Sequence, residues 1–231
     1  KILGGEPSIY PHIVPILNRL KQRSIRSVII TNGIRYSDRE VMRRHFEAGL
    51  DSLIISLKAG SQATYKELTG APVLDRVHQA VKNLQEFRGG VTITITQEMQ
   101  DEIIPAISDV VSVGAKFINL HFCSPTVMSG APENHSMIAP DKAAIAMMIA
   151  VEHLEKLGVS YNVQISLPFC LFKRGFIEGL MQKNCLTSGC IVNKKSGIIF
   201  GSEGEAGFCN HMMDYPFGRL GDDFTTAAEL Q

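Results

Sequence analysis

Apolar residues recur along this chain in two alternating rhythms. Ile13, Ile16, Leu17 and Leu20 fall at i, i+3, i+4 and i+7, the stripe of an amphipathic helix. Residues 26–31 follow as a short apolar run stopped by Asn32-Gly33, which predicts a buried strand. Asp38 is placed to cap a second helix with Met42 and Phe46 inward, and Gly49 ends it. Residues 51–57 predict another strand. A helix with Val77, Ala80, Val81 and Leu84 on one side comes next. Gly90 then introduces the β-branched run 91–96. A helix with Ile104, Ile107 and Val111 inward, a strand over 116–121, a helix over 141–157 and a strand over 159–167 complete the pattern. The loop between about Cys123 and Pro140 is long for a compact domain, which points to function or mobility.

Val28, Leu53, Val91 and Phe117, one in each of four strands, lie 25, 38 and 26 residues apart with a helix in each interval. Such alternation predicts right-handed crossovers and a parallel sheet. The strands read as apolar on both faces, as buried parallel strands do. An open doubly wound sheet and a barrel both fit, and both bind ligands at the C-terminal ends of their strands. Those ends carry Gly4-Gly5-Glu6, Thr31-Asn32, Ser56 with Lys58, Gln97 and His121. From Phe169 onward the rhythm breaks into glycine-rich pieces with three closely spaced cysteines. A boundary is therefore expected near 168, with one unit over 1–168 and a small cysteine-bearing unit over 169–231.

The 23 basic and 23 acidic residues cancel, and no basic run occurs. Nucleic acid and anionic membranes are thereby disfavoured as principal partners. No apolar run approaches the roughly 18 residues of a membrane span. Five cysteines (Cys123, Cys170, Cys185, Cys190, Cys209) without an export signal fit free thiols or metal ligands in a reducing cytoplasm. The chain opens in what looks like mid-strand, without an initiator methionine, so an incomplete chain is expected.

The most informative stretch is Lys1-Ile-Leu-Gly-Gly-Glu-Pro7. Ile2-Leu3 reads as a strand end. Gly4-Gly5 permits a sharp turn close to a ligand, and Pro7 holds Glu6 away from helical geometry, so a fixed carboxylate faces any bound ammonium group. Gly4-Gly5-Glu6-Pro7, then Ile30-Thr31-Asn32-Gly33, then Ile55-Ser56-Leu57, each ending a strand in that order, resemble the radical S-adenosylmethionine (radical SAM) enzymes over about residues 1–122. The resemblance implies a partial (β/α)6 TIM-like barrel that lacks its first strand here. It implies S-adenosyl-L-methionine as cofactor, with Gly4, Gly5, Glu6 and Pro7 at its methionine end and Thr31, Asn32 and Ser56 along its ribose and carboxylate. Lys58 stands where many relatives carry an acid and reads as a solvated lysine. The CxxxCxxC that would bind a 4Fe-4S cluster is absent, so its ligands are expected outside this chain. The chain alone is then expected to be inert in cofactor cleavage.

Cys190, thirteen residues, Gly204, four residues, Cys209 is similar to the opening of SPASM and twitch domains, which hold auxiliary iron–sulfur clusters. That likeness implies Cys185, Cys190 and Cys209 as metal ligands. Zinc on the same cysteines with His211 is the rival, and small buried cysteines are the plainer alternative. Residues 197–207 read as a β-hairpin that brings Cys190 and Cys209 together. Cys123 and Cys170 read as buried structural thiols, and His121 as a core or ribose-contact histidine rather than a general base. The resemblance implies an enzyme that makes a 5′-deoxyadenosyl radical for hydrogen abstraction. A peptide, protein or small molecule would be its substrate, and flavodoxin or ferredoxin its reductant. A barrel enzyme of other chemistry, or a zinc- or nucleotide-binding module, are the alternatives.

Overall fold

In the computed structural model, residues 1–123, 126–128, 131–133, 136–188, 197–226 and 229 are described. The elements in chain order are α1 (Ile13–Gln22), β1 (Val28–Thr31), α2 (Arg39–Glu47), β2 (Ser52–Leu57), α3 (Gln62–Thr69), α4 (Leu74–Leu84), β3 (Gly89–Ile95), α5 (Ile103–Ser112) and β4 (Phe117–Phe122). Then come β5 (Thr126–Met128), β6 (Ala131–Glu133), α6 (Pro140–Leu157), β7 (Ser160–Ile165), α7 (Arg174–Gln182), β8 (Leu186–Ser188), β9 (Ile199–Phe200), β10 (Glu205–Gly207) and β11 (Gly218–Arg219).

Six strands form one sheet in the order β1-β2-β3-β4-β7-β8, every pair parallel. Ile2 adds a parallel bridge to Ile29 outside β1. This is the expected α/β architecture, a partial TIM-like barrel. The helix-covered face is apolar: Leu53, Ile55, Val91, Ile93, Ile118, Leu120, Val163 and Ile165 sit in one core with Val77, Ala80, Ile107, Met147 and Leu154. Asp38 caps α2 as expected, accepting from the Glu40 amide at 2.8 Å.

Several expectations change. The other face carries Ser52, Ser56, Thr92, Thr94, Asn119, His121, Asn162 and Gln164 beside Val28, Ile30, Ile54 and Phe117, so the strands are not apolar on both sides. Strand β3 begins at Gly89 rather than after Gly90. A Cβ on Gly89 would lie 2.1 Å from the Leu53 carbonyl oxygen, and one on Gly90 2.7 Å from that of Phe117, so both glycines are needed within the sheet. Helix α5 buries Ile103, Ala106, Ile107 and Val110, a stripe rotated from the expected one. Residues expected as loop between β4 and α6 include the antiparallel pair β5–β6. After residue 168, α7 and β8 add a further parallel strand beside β7. Beyond it, β9, β10 and β11 form a separate antiparallel sheet, with the hairpin expected over 197–207 in place. Among the described residues no helix is long and apolar enough to cross a membrane.

His45 on α2 is 2 % exposed, and its Nδ1 lies 2.8 Å from the Tyr36 hydroxyl. Burial, helped by the charges of Arg44 and Arg35, pushes its pKa down to about 4. At pH values between there and the ordinary 6.5, the unfolded chain binds a proton that the folded chain refuses, so stability falls on acidification. The expected loss from this residue between pH 7 and pH 5 is about 2 kcal/mol. Denaturant unfolding of wild type and His45→Gln at both pH values checks this: the variant loses less stability on acidification, whereas equal losses would assign the effect elsewhere.

Candidate functional site

The site is built on the C-terminal ends of the parallel strands. After Ile2, Gly4 and Gly5 take positive φ of 102° and 23°, a route closed to most side chains. A Cβ at either position would meet nothing within 4 Å, so the turn presents bare backbone to open space. Glu6 then caps the short helical turn Pro7–Ile9. Its Oε1 accepts from the Ser8 amide at 3.0 Å and from the Thr31 hydroxyl at 2.7 Å, and its Oε2 from the Asn32 amide at 2.8 Å. One carboxylate thus ties the glycine turn to the end of β1.

Thr31 is buried and its hydroxyl also accepts from the Gly33 amide at 3.0 Å, so it is committed within the protein. Asn32 uses Oδ1 for the Ile34 amide at 2.9 Å, and its Nδ2 makes no hydrogen bond among the described residues. Its amide nitrogen is therefore available. Thr31 pairs with Ile55, which puts Ser56 one residue further along the neighbouring strand end, half-buried on the polar face. Gly4, Gly5, Glu6, Pro7, Thr31, Asn32 and Ser56 come from three successive strand ends on one edge of the sheet.

Below that edge runs a feature the sequence reading missed. Ser56 pairs with Thr92, Thr92 with Asn119, and Asn119 with Asn162, so these side chains share the uncovered face. The Thr187 hydroxyl donates to Asn162 Oδ1 at 3.3 Å, Asn162 Nδ2 to Asn119 Oδ1 at 2.9 Å, and Asn119 Nδ2 to Thr92 Oγ1 at 3.3 Å. One layer nearer the mouth, His121 Nε2 meets the Thr94 hydroxyl at 2.9 Å. Burial first, then Lys58 and His211, lower the His121 pKa against a backbone bond from Phe122, which leaves the ring neutral at pH 7. His211 comes from the antiparallel unit, whose helical turn Asn210–Met212 packs against β5. The signal for this ladder was present: polar residues occupy every second position of 92–96, 119–121 and 160–164.

The cysteines are dispersed. Cys185 is buried in the connection between α7 and β8, with its thiol facing the Leu180 carbonyl. Cys209 is half-buried at the start of the helical turn 210–212. Cys190 lies outside the described residues. Cys123 is half-buried, and burial and the Glu98 charge raise its thiol pKa. Cys170 is exposed, which corrects the expectation that it is buried. Among the described residues no three of His, Cys, Asp and Glu gather as a metal site.

The sequence model of the radical SAM superfamily matches residues 1–97. Over those residues the chain is similar to the radical SAM superfamily. The match covers the glycine turn, Glu6, Thr31-Asn32, Ser56 and β3. A probable GTP 3′,8-cyclase of Saccharolobus islandicus is 38% identical over 84 residues, which is 36% of this chain and 27% of that protein. The counterpart from Thermococcus kodakarensis is 33% identical over 97 residues, 40% of this chain and 31% of its own length. The chain thus spans roughly a quarter to a third of the curated relatives it matches. In fold, it is similar to native anSMEcpe with bound AdoMet and a peptide, with a TM-score of 0.70 at 15% identity over 99% of this chain and 65% of that one. It is also similar to Streptococcus suis SuiB bound to the precursor peptide SuiA, with a TM-score of 0.67 at 14% identity over 95% and 50% of the two chains.

Glu6→Gln replaces an all-acceptor group by one whose amide nitrogen must face a donor, either the Asn32 amide or the Ser8 amide and Thr31 hydroxyl. The expected loss of stability is about 1.5–3 kcal/mol. Denaturant unfolding at pH 7 measures it. An unchanged midpoint would mean that the carboxylate does not hold the turn to β1.

Proposed function

We propose that this chain forms the cofactor- and substrate-binding part of a radical SAM enzyme acting on a peptide or protein. The observation that carries the reading is the open glycine turn with its fixed Glu6 carboxylate, set at the mouth of an uncharged, hydrogen-bonding channel face. The residues fit S-adenosyl-L-methionine: bare backbone at Gly4-Gly5, acceptor capacity left on Glu6 Oε2, the available Asn32 amide and the Ser56 hydroxyl suit a zwitterionic nucleoside. Pro7 and Thr31 act by positioning, since Thr31 has spent its hydroxyl on Glu6 and Gly33. When bound, the cofactor supplies hydrogen-abstracting radical chemistry. This chain's residues bind it, orient it, and hold the substrate beneath it.

The Thr92–Asn119–Asn162–Thr187 ladder supports the substrate class. Amides and hydroxyls in a polarised row match the alternating donors and acceptors of a peptide backbone. A nucleoside triphosphate asks for converging guanidinium or ammonium groups. The strand positions on this face from β1 to β8 hold no arginine, and Lys58 alone stands at the rim. Action on GTP is the second reading, favoured by the names of the curated relatives. In the C-terminal unit, Cys190 and Cys209 are the pair through which a SPASM-type auxiliary metal would be held, with Cys185 withdrawn into the core. A cytoplasmic setting and a flavodoxin- or ferredoxin-type reductant accompany the reading.

Calorimetric titration of the 231-residue chain with S-adenosyl-L-methionine and, separately, with GTP tests both readings. Saturable cofactor binding that Glu6→Ala weakens by about 1.5–3 kcal/mol is expected. GTP should give no saturable heat that Asn119→Ala or Asn162→Ala removes. No cofactor binding would overturn the proposal, and GTP binding lost in Asn119→Ala or Asn162→Ala would replace the peptide reading by the nucleotide one.

A further inference from the structure

A cavity of about 300 Å3 lies behind the cofactor turn, lined among others by Ser8, Tyr10, Arg35, Arg44 and His45. Arg35 comes from the helical turn after β1 and Arg44 from the last turn of α2. Neither makes an ion pair among the described residues. On the same helix, Arg39 is paired with Glu86, and Arg43 with Glu40 and Glu47. Helix α2 therefore neutralises its outward arginines and leaves unpaired the one that lines the cavity. Arg35 is held in place by donating Nη1 to the Ser8 carbonyl at 3.2 Å. Both guanidinium groups add to burial in lowering the pKa of His45.

Two like charges around one space repel each other, and an anion between them turns that repulsion into attraction. A second observation marks the same wall. Ser8 is 2 % exposed and its hydroxyl has no hydrogen-bond partner. A buried hydroxyl left without a partner is a cost that a small shift toward a bound acceptor would remove.

We infer that this cavity is an anion site for a phosphate group, gripped by Arg35 and Arg44 with the Ser8 hydroxyl at its wall. The guanidinium fork suits phosphate oxygens bidentately. The phosphate comes either free or as part of an ester; the half-exposed Tyr10 ring at the edge offers a stacking surface to a nucleoside carried on it. The site is separate from the cofactor edge yet joined to it, since the Ser8 amide also donates to Glu6 Oε1.

Calorimetry of the 231-residue chain with inorganic phosphate and with GMP, at ionic strength matched by sodium chloride, tests the inference. Saturable binding is expected, weakened at least about tenfold by either Arg35→Gln or Arg44→Gln and unchanged by Arg39→Gln. Tighter binding of GMP than of phosphate assigns the site to a phosphate ester, and equal binding assigns it to free phosphate. No saturable binding of either ligand, or binding that both cavity variants retain in full, would overturn it. Failure here leaves the cofactor reading intact, because none of these ligands or variants reports on Asn32 or Ser56.

Discussion

The site depends on one carboxylate being held by three donors. Glu6 has no freedom left: the Ser8 amide, the Thr31 hydroxyl and the Asn32 amide converge on it from the turn and from the end of β1. Charge-assisted bonds of this kind are roughly twice as strong as neutral ones. They fix the glycine turn against the sheet although Ile2 supplies only a single bridge there. The turn can then afford two positive-φ glycines whose open side faces a ligand. Thr31 is buried to serve Glu6, and Asn32 is folded by its own Oδ1 so that its amide nitrogen stays available.

The parallel sheet does two jobs at once with its two faces. The helix side is apolar and supplies the core that makes the strand ends rigid. The uncovered side is lined by amides and hydroxyls bonded to each other across β3, β4, β7 and β8. Such a row is satisfied in itself, so it carries no large penalty when empty, and it still has donor and acceptor capacity for a substrate. The antiparallel unit reaches the same mouth through the helical turn 210–212, which brings His211 toward His121.

Much of this was legible in the sequence. The helices and strands follow from apolar period, and the glycine turn, Thr31-Asn32 and Ser56 lie at successive strand ends as their order suggested. Three things were hidden, each for a physical reason. The polar ladder was read as buried strand, because Thr-Ile-Thr-Ile alternation is β-favourable whichever face is covered. Strand β8 is three residues long, too short for a periodic signal, and owes its place to pairing with β7. Arg35 and Arg44 lie nine residues apart and meet only because the turn after β1 packs on α2.

The central claim is that Asn32, held by Glu6 and its own turn, offers its side-chain amide to the cofactor. The direct measurement is the side-chain amide spectrum of 15N-labelled protein titrated with S-adenosyl-L-methionine. The Asn32 Nδ2 resonances should shift with saturation. Those of Asn83, buried and bonded to the Tyr36 and Ser37 carbonyls at 3.0 Å each, should stay in place. A saturating titration that leaves the Asn32 amide unmoved would contradict the account.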